Sequence, residues 1–224
     1  MVIAERKPLT DILDKLRPYR SILIAGCGGC MTVGLSGGAR EVALMAQEIR
    51  LACQALGREI EVFEHMAERQ CEPIFLEELI EDIEFVDAVV SLGCGVGVQA
   101  LAEKFPKTVV LPALDTRFVG MPEKHGVWVE RCQACGECII DQTGGICPIA
   151  RCSKNLLNGP CGGSQNGWCE VGEGIPCAWS LIYERMARLG EVEKLSSIQA
   201  AKNWGKADGP GKVVKGGRSR EVGE

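Results

Sequence analysis

Two patterns in the sequence predict an α/β protein with a second, smaller domain. Short apolar runs alternate with helix-like segments across residues 1–120, and eight of the thirteen cysteines crowd into residues 132–177. A third pattern points to a ligand edge: the glycine clusters GCGGC and SLGCG stand directly after two of the apolar runs, where glycine lets backbone approach a bulky group closely. Alternating strands and helices give a parallel, doubly wound sheet of the Rossmann-like kind. Residues 121–190 then form a small cysteine-rich, loop-rich domain and residues 191–224 a tail.

Thr10-Asp11 is placed to cap a first helix carrying Ile12, Leu13 and Leu16 on one face, with Pro18 ending it. Ser21 to Ala25 (SILIA) is a short apolar run that stops at glycine, as a buried parallel strand does. From Glu41 to Leu56 the residues Val42, Met45, Ala46, Ile49, Ala52, Cys53 and Leu56 keep helical spacing, with Gly57 as the stop signal. Further strands are expected at Glu59–Phe63, Asp87–Leu92 and Thr108–Leu111, separated by helices around Ile74–Ile83 and Val98–Lys104.

The cysteines carry the chemistry. Cys132, Cys135 and Cys138 form an uninterrupted C-x2-C-x2-C run, and Cys147 is followed by Pro148, which is the ferredoxin pattern for 4Fe-4S clusters. With Cys152, Cys161, Cys169 and Cys177 there are eight thiols, enough for two such clusters. By that pattern the triple run shares a cluster with a remote cysteine, Cys147, Cys152 and Cys161 belong mainly to the other, and Cys169 and Cys177 complete them. Structural zinc is the rival, because paired cysteines also build four-thiolate zinc sites. A disulfide framework is not expected, since MVIAERKPLT shows no export signal.

Four more cysteines follow strands of the first domain. Cys27 and Cys30 come after the first strand of the alternating pattern, Cys71 after the second and Cys94 after the third. Successive βα units return the chain to one edge of the sheet, so these thiols are expected to meet there and hold a third 4Fe-4S cluster. A redox dithiol or zinc at the same thiols are the alternatives. A phosphate cradle is disfavoured, because GCGGCMTVG lacks the G-x-G-x-x-G fingerprint and no Walker lysine follows. Cys53 falls on the apolar helix face and reads as a packed core thiol.

Composition narrows the partners. A net charge of −5 with a pI near 5.3 argues against nucleic acid, and aromatic content of 5% argues against base-stacking platforms. No apolar run approaches the roughly 18 residues of a membrane span, so a cytoplasmic protein is expected. His65 and His125 lie beside no nucleophile pattern, and the acids of FLEELIEDIE read as the solvated face of a helix. No residue is assigned to catalysis. Residues 203–224 are glycine-rich, with five Lys or Arg against three Asp or Glu. They are expected to be unstructured in the isolated chain, or an arm that orders on a partner.

At TGGICPIARCSKNLLNGPCGG, preceded by WVERCQACGEC and followed by GWCEVGEGIPCAWSLIYERMARLG, the sequence resembles the methylenetetrahydrofolate reductase C-terminal domain family. The resemblance spans about residues 126–190, with all eight cysteines, the NGPCGG turn and the PCAW…YERM ending in place. With GCGGC, RQC and LGCG upstream, the whole chain is similar to the small iron-sulfur subunits of the two-subunit reductases of anaerobes such as acetogens, which work in the Wood-Ljungdahl pathway. The resemblance implies an accessory subunit that relays electrons to a larger, flavin-bearing partner, where methylenetetrahydrofolate is reduced to methyltetrahydrofolate. It leaves the donor open among ferredoxin, a pyridine-nucleotide dehydrogenase subunit and a heterodisulfide-reductase-like module. The competing class is a zinc-binding structural scaffold of the same complex with no electron-transfer role.

Overall fold

The run SILIAGC, apolar on both alternating sets of side chains, forms the inner strand of a parallel sheet in a computed structural model that describes residues 1–207, 211 and 213. The chain divides into two compact units, Met1–Val129 and Glu130–Glu224. In the first, β1 (Val2–Arg6) is followed by α1 (Leu9–Lys15), β2 (Ser21–Cys27), α2 (Cys30–Val33), α3 (Ala39–Ala55) and β3 (Glu61–Ala67). A 3₁₀ segment at Pro73–Leu79 runs into α4 (Ile80–Ile83), and β4 (Ala88–Ser91), α5 (Gly95–Lys104), β5 (Val109–Pro112), β6 (Leu114–Lys124) and β7 (Val127–Cys132) follow.

The parallel sheet has the order β3-β2-β4-β5. Both of its faces are buried. Ile22, Ile24, Ala88 and Val90 pack with Val42, Met45, Ile49 and Cys53 of α3, while Leu23, Ala25 and Val89 pack with Leu76, Leu79 and Leu101 on the other side. That two-sided burial is why β2 reads as a continuous apolar run and not an alternating one. From β2 the chain builds β3 on one side and then β4 on the other, so the strand order reverses between β2 and β4. In open α/β sheets this reversal opens a crevice at the carboxyl ends of the strands, where ligands bind.

Several expectations are corrected. The first helix starts at Leu9 after Pro8, whose φ of −52° is already set for the turn, and Thr10 lies inside the helix. The second strand of the parallel sheet is Glu61–Ala67, because pairing of Ser21–Cys27 with Glu61–Ala67 sets its length. The helix expected at Ile74–Ile83 begins as a 3₁₀ segment with Pro73 in its first turn. Helix α3 begins at Ala39, where the Gly38 N–H donates to Glu41 Oε2 at 3.0 Å. Cys53 is fully buried on its inner face, as expected. A second sheet was not foreseen: β1, β6 and β7 form an antiparallel layer in that order. Its strands are only half-buried and lack clean alternation, and β6 carries Gly120 and Pro122.

In the second unit short elements are strung between loops. After a 3₁₀ turn at Ile140–Thr143 come α6 (Pro148–Arg151), α7 (Ala178–Leu189) and further 3₁₀ turns at Val192–Ser196 and Trp204–Lys206. Its small core is Cys177, Trp179, Ile182 and Met186, with Ile146, Leu156, Val192 and Leu195 packed against it. Helix α7 stops where Gly190 takes the left-handed conformation (φ 70°) and the Glu191 N–H bonds back to Met186 O at 2.9 Å. The start of the tail is held down: Lys206 pairs with Glu137 at 2.6 Å, and Lys202 donates to the Glu137 carbonyl. The expectation for residues 208–210, 212 and 214–224 lies outside the described residues. Among the described residues no helix is long and apolar enough to cross a membrane.

Candidate metal centres

The parallel sheet delivers three of the four N-terminal cysteines to its ligand edge by three different strands. Cys27 ends β2, Cys71 follows β3 after a short loop, and Cys94 caps the N-terminus of α5. Partial burial, then the neighbouring Cys27 and Cys94 sulfurs, push the Cys71 thiol above its ordinary pKa. Cys30 starts α2 and packs with Cys94 against the core cluster that contains Cys27.

Behind these sulfurs lies a buried polar network that no sequence signal announces. Gln70, fully buried, donates from Nε2 to Ala25 O at 2.8 Å and Gly26 O at 3.0 Å. Its Oε1 accepts from Ser91 Oγ at 2.6 Å, and Ser91 Oγ accepts from the Gly93 N–H at 3.1 Å. A Cβ at Gly93 would lie 2.1 Å from Gln70 Oε1, so a side chain there would displace the bonded amide.

In the second unit Cys152, Cys161, Cys169 and Cys177 line one pocket together with Lys154, Ser164, Glu170 and Trp179. Cys147 is not among its lining residues. It caps α6 and its sulfur accepts from the Ala150 N–H at 3.4 Å. Cys147 and Cys152 flank the single turn of α6, where the Arg151 N–H returns to the Cys147 carbonyl at 3.2 Å. The pocket's sulfurs sit among donors and charge. Burial works to raise the Cys177 thiol, yet the hydroxyls of Ser180 and Ser164 and nearby N–H groups outweigh it and bring the pKa below its ordinary value. Glu170 forms an ion pair with Lys154, which holds its carboxyl below the usual range. The same hydrogen bond, reinforced by the Cys161 and Cys169 sulfurs, raises Lys154.

Cys132 ends β7, and Cys135 and Cys138 lie on the loop that follows, with Cys132 and Cys138 exposed. Cys132 Sγ accepts from the Ala134 N–H at 3.3 Å, and Cys161 Sγ accepts from the Gly163 N–H at 3.4 Å. Backbone N–H donors to sulfur are a feature of thiolate-held clusters. The donor set therefore fits thiolate-held iron-sulfur or zinc. Among the described residues, however, no three His, Cys, Asp or Glu side chains are drawn close enough to hold a single metal ion.

The histidines stay outside these groups. His65 Nδ1 is 2.6 Å from Asp82 Oδ2, and Lys104 Nζ is 3.3 Å from Glu77 Oε1, so acids of FLEELIEDIE have partners where a solvated face was expected. His125 is exposed beside Gly126 in the β6–β7 turn. Neither the curated proteins nor the solved structures include a match to this chain. Residues 111–205, which carry all eight cysteines of the second group, match the family described as methylene-tetrahydrofolate reductase C terminal.

Proposed function

We propose that the chain is the iron-sulfur electron-transfer subunit of a methylenetetrahydrofolate reductase complex in the cytoplasm. It relays electrons from ferredoxin or an electron-input subunit to a flavin-bearing subunit that reduces methylenetetrahydrofolate to methyltetrahydrofolate. The carrying observation is that Cys152, Cys161, Cys169 and Cys177 line one pocket within the segment that matches the reductase family. A 4Fe-4S cluster takes four thiolates, and this pocket offers four. Cys147 then completes Cys132, Cys135 and Cys138, and Cys27, Cys30, Cys71 and Cys94 make a third set.

Bound clusters supply one-electron transfer and no hydride, so the two-electron step to carbon belongs to the partner's flavin. The chain's own residues hold the sulfurs and balance their charge. Ala134, Ala150 and Gly163 donate N–H groups to sulfur, and Lys154 places a cation beside Cys161 and Cys169. The test is reconstitution. The isolated chain with dithionite leaves methylenetetrahydrofolate unreduced, and the chain with its flavin subunit reduces it. Ligand substitutions abolish turnover from the physiological donor and spare the flavin subunit's dye-linked activity. Folate reduction by the isolated chain, or survival of both activities after loss of every ligand, contradicts the proposal.

A further inference from the structure

The buried Gln70–Ser91 network touches each of three chain segments next to a cysteine. Gln70 itself precedes Cys71; its Nε2 holds the carbonyl of Gly26, which precedes Cys27; and Ser91 Oγ holds the N–H of Gly93, which precedes Cys94. These segments leave three separate strands, and backbone pairing ends at or before them: β2 and β3 pair as far as Cys27 and Ala67, β2 and β4 only as far as Ala25 and Ser91. Just beyond those points Leu92 N–H still bonds Ala25 O at 2.8 Å and Gly28 N–H bonds Ala67 O at 2.9 Å, and the Gln70 and Ser91 side chains add the contacts to Gly26 and Gly93. Gln70 and Ser91 are two of the four buried polar or charged residues of the described chain. Burying an amide is costly unless it is bonded, and here the amide bonds in both directions. Gly93 and Gly97 make room for it, since a Cβ at either would lie 2.1 Å or 2.9 Å from a Gln70 atom.

We infer that Gln70, supported by Ser91, is the positioning residue of the N-terminal cysteine site, setting Cys27, Cys71 and Cys94 at the spacing their shared ligand requires. This rests on the reading of those cysteines as a cluster site. Bonds made behind a ligand set commonly change metal retention by about tenfold or more when removed. The substitution to make is Gln70→Leu with Ser91→Ala, which removes both ends of the network and orphans neither side chain.

The experiment uses the full chain, purified anaerobically, reduced with dithionite and followed by EPR during challenge with EDTA. The signal that Cys71→Ser removes marks the N-terminal site. In the double variant that signal is lost at about tenfold lower EDTA than in the wild type, while the signals of the Cys132–Cys177 region keep their wild-type resistance. A general loss of stability would weaken them all. If circular dichroism shows the double variant unfolded, Ser91→Ala alone decides: it leaves both Gln70 donor bonds in place and still lowers the resistance of the N-terminal signal selectively. Wild-type resistance in the folded variant overturns the inference. A wild-type chain with no signal sensitive to Cys71→Ser overturns instead the reading of the site on which it stands.

Discussion

Gly37→Ala places a methyl group where the fold has no room for one. Its Cβ would lie 2.0 Å from the carbonyl oxygen of Leu92 and 3.0 Å from Leu92 Cβ. The first obstacle is backbone at the end of β4, which cannot rotate away as a side chain does. Leu92 is fully buried, and its N–H is already committed to Ala25 O at 2.8 Å. Gly37 also gives its carbonyl to the Cys27 N–H at 2.8 Å, so a displaced loop strains Cys27 on one side and the Gly93-Cys94 turn on the other. Forcing one methyl into a packed site costs about 1–3 kcal/mol. Weakening the Cys27–Gly37 bond adds about 1 kcal/mol, for a loss of about 2–4 kcal/mol. With an m-value of about 2 kcal/mol/M, the urea midpoint of the metal-free chain falls by roughly 1–2 M. The comparison is Gly95→Ala, where the nearest atom, Thr116 Oγ1, is 3.6 Å from the new Cβ. That substitution at the start of α5 leaves the midpoint unchanged or slightly raised. Equal midpoints for the two variants would refute the claim that the Gly37 loop is seated on the Leu92 backbone.

Asp87→Asn lowers the thermal midpoint at neutral pH. Its carboxylate accepts from the Arg20 and Ser21 N–H groups at 2.7 and 2.9 Å, and these bonds pull its pKa below 3.8. A pKa lower in the folded chain than in the unfolded one contributes stability above the unfolded value and loses it as pH falls through the folded value. The wild-type advantage therefore shrinks below about pH 4, and an advantage that does not change with pH contradicts the assignment. Cys135→Ala removes about four irons and leaves the signal that depends on Cys71. Lys154→Met takes a cation from beside Cys161 and Cys169, so the midpoint potential of the centre held there moves to a more negative value in an EPR-monitored redox titration.

The parallel sheet was legible because its signals are local. SILIA stops at glycine, and the Val42–Cys53 stripe keeps one helical face, so both elements stand within a few residues of where they were expected. The antiparallel layer was not legible. Val2–Arg6 becomes a strand only by pairing with Leu114–Val119 across more than a hundred residues of chain, and no short window contains that information. Of the candidate site, the positions of Cys27, Cys71 and Cys94 after the ends of three parallel strands followed from βα periodicity. Cys152 was expected beside Cys161, but that Cys169 and Cys177 line the same pocket was not legible, since it depends on how irregular loops fold around Trp179, whose Nε1 donates to Leu156 O at 3.0 Å. Gln70 and Ser91 left no trace at all, because a buried amide is recognisable only once its partners are known.

Metal analysis of the full chain purified under strict anaerobiosis tests the account most directly. Cys27, Cys30, Cys71 and Cys94, Cys132, Cys135, Cys138 and Cys147, and Cys152, Cys161, Cys169 and Cys177 make three sets of four, with only the core thiol Cys53 left over. The account predicts about twelve irons and about twelve acid-labile sulfides per chain. Zinc at the same thiols with no labile sulfide would contradict it.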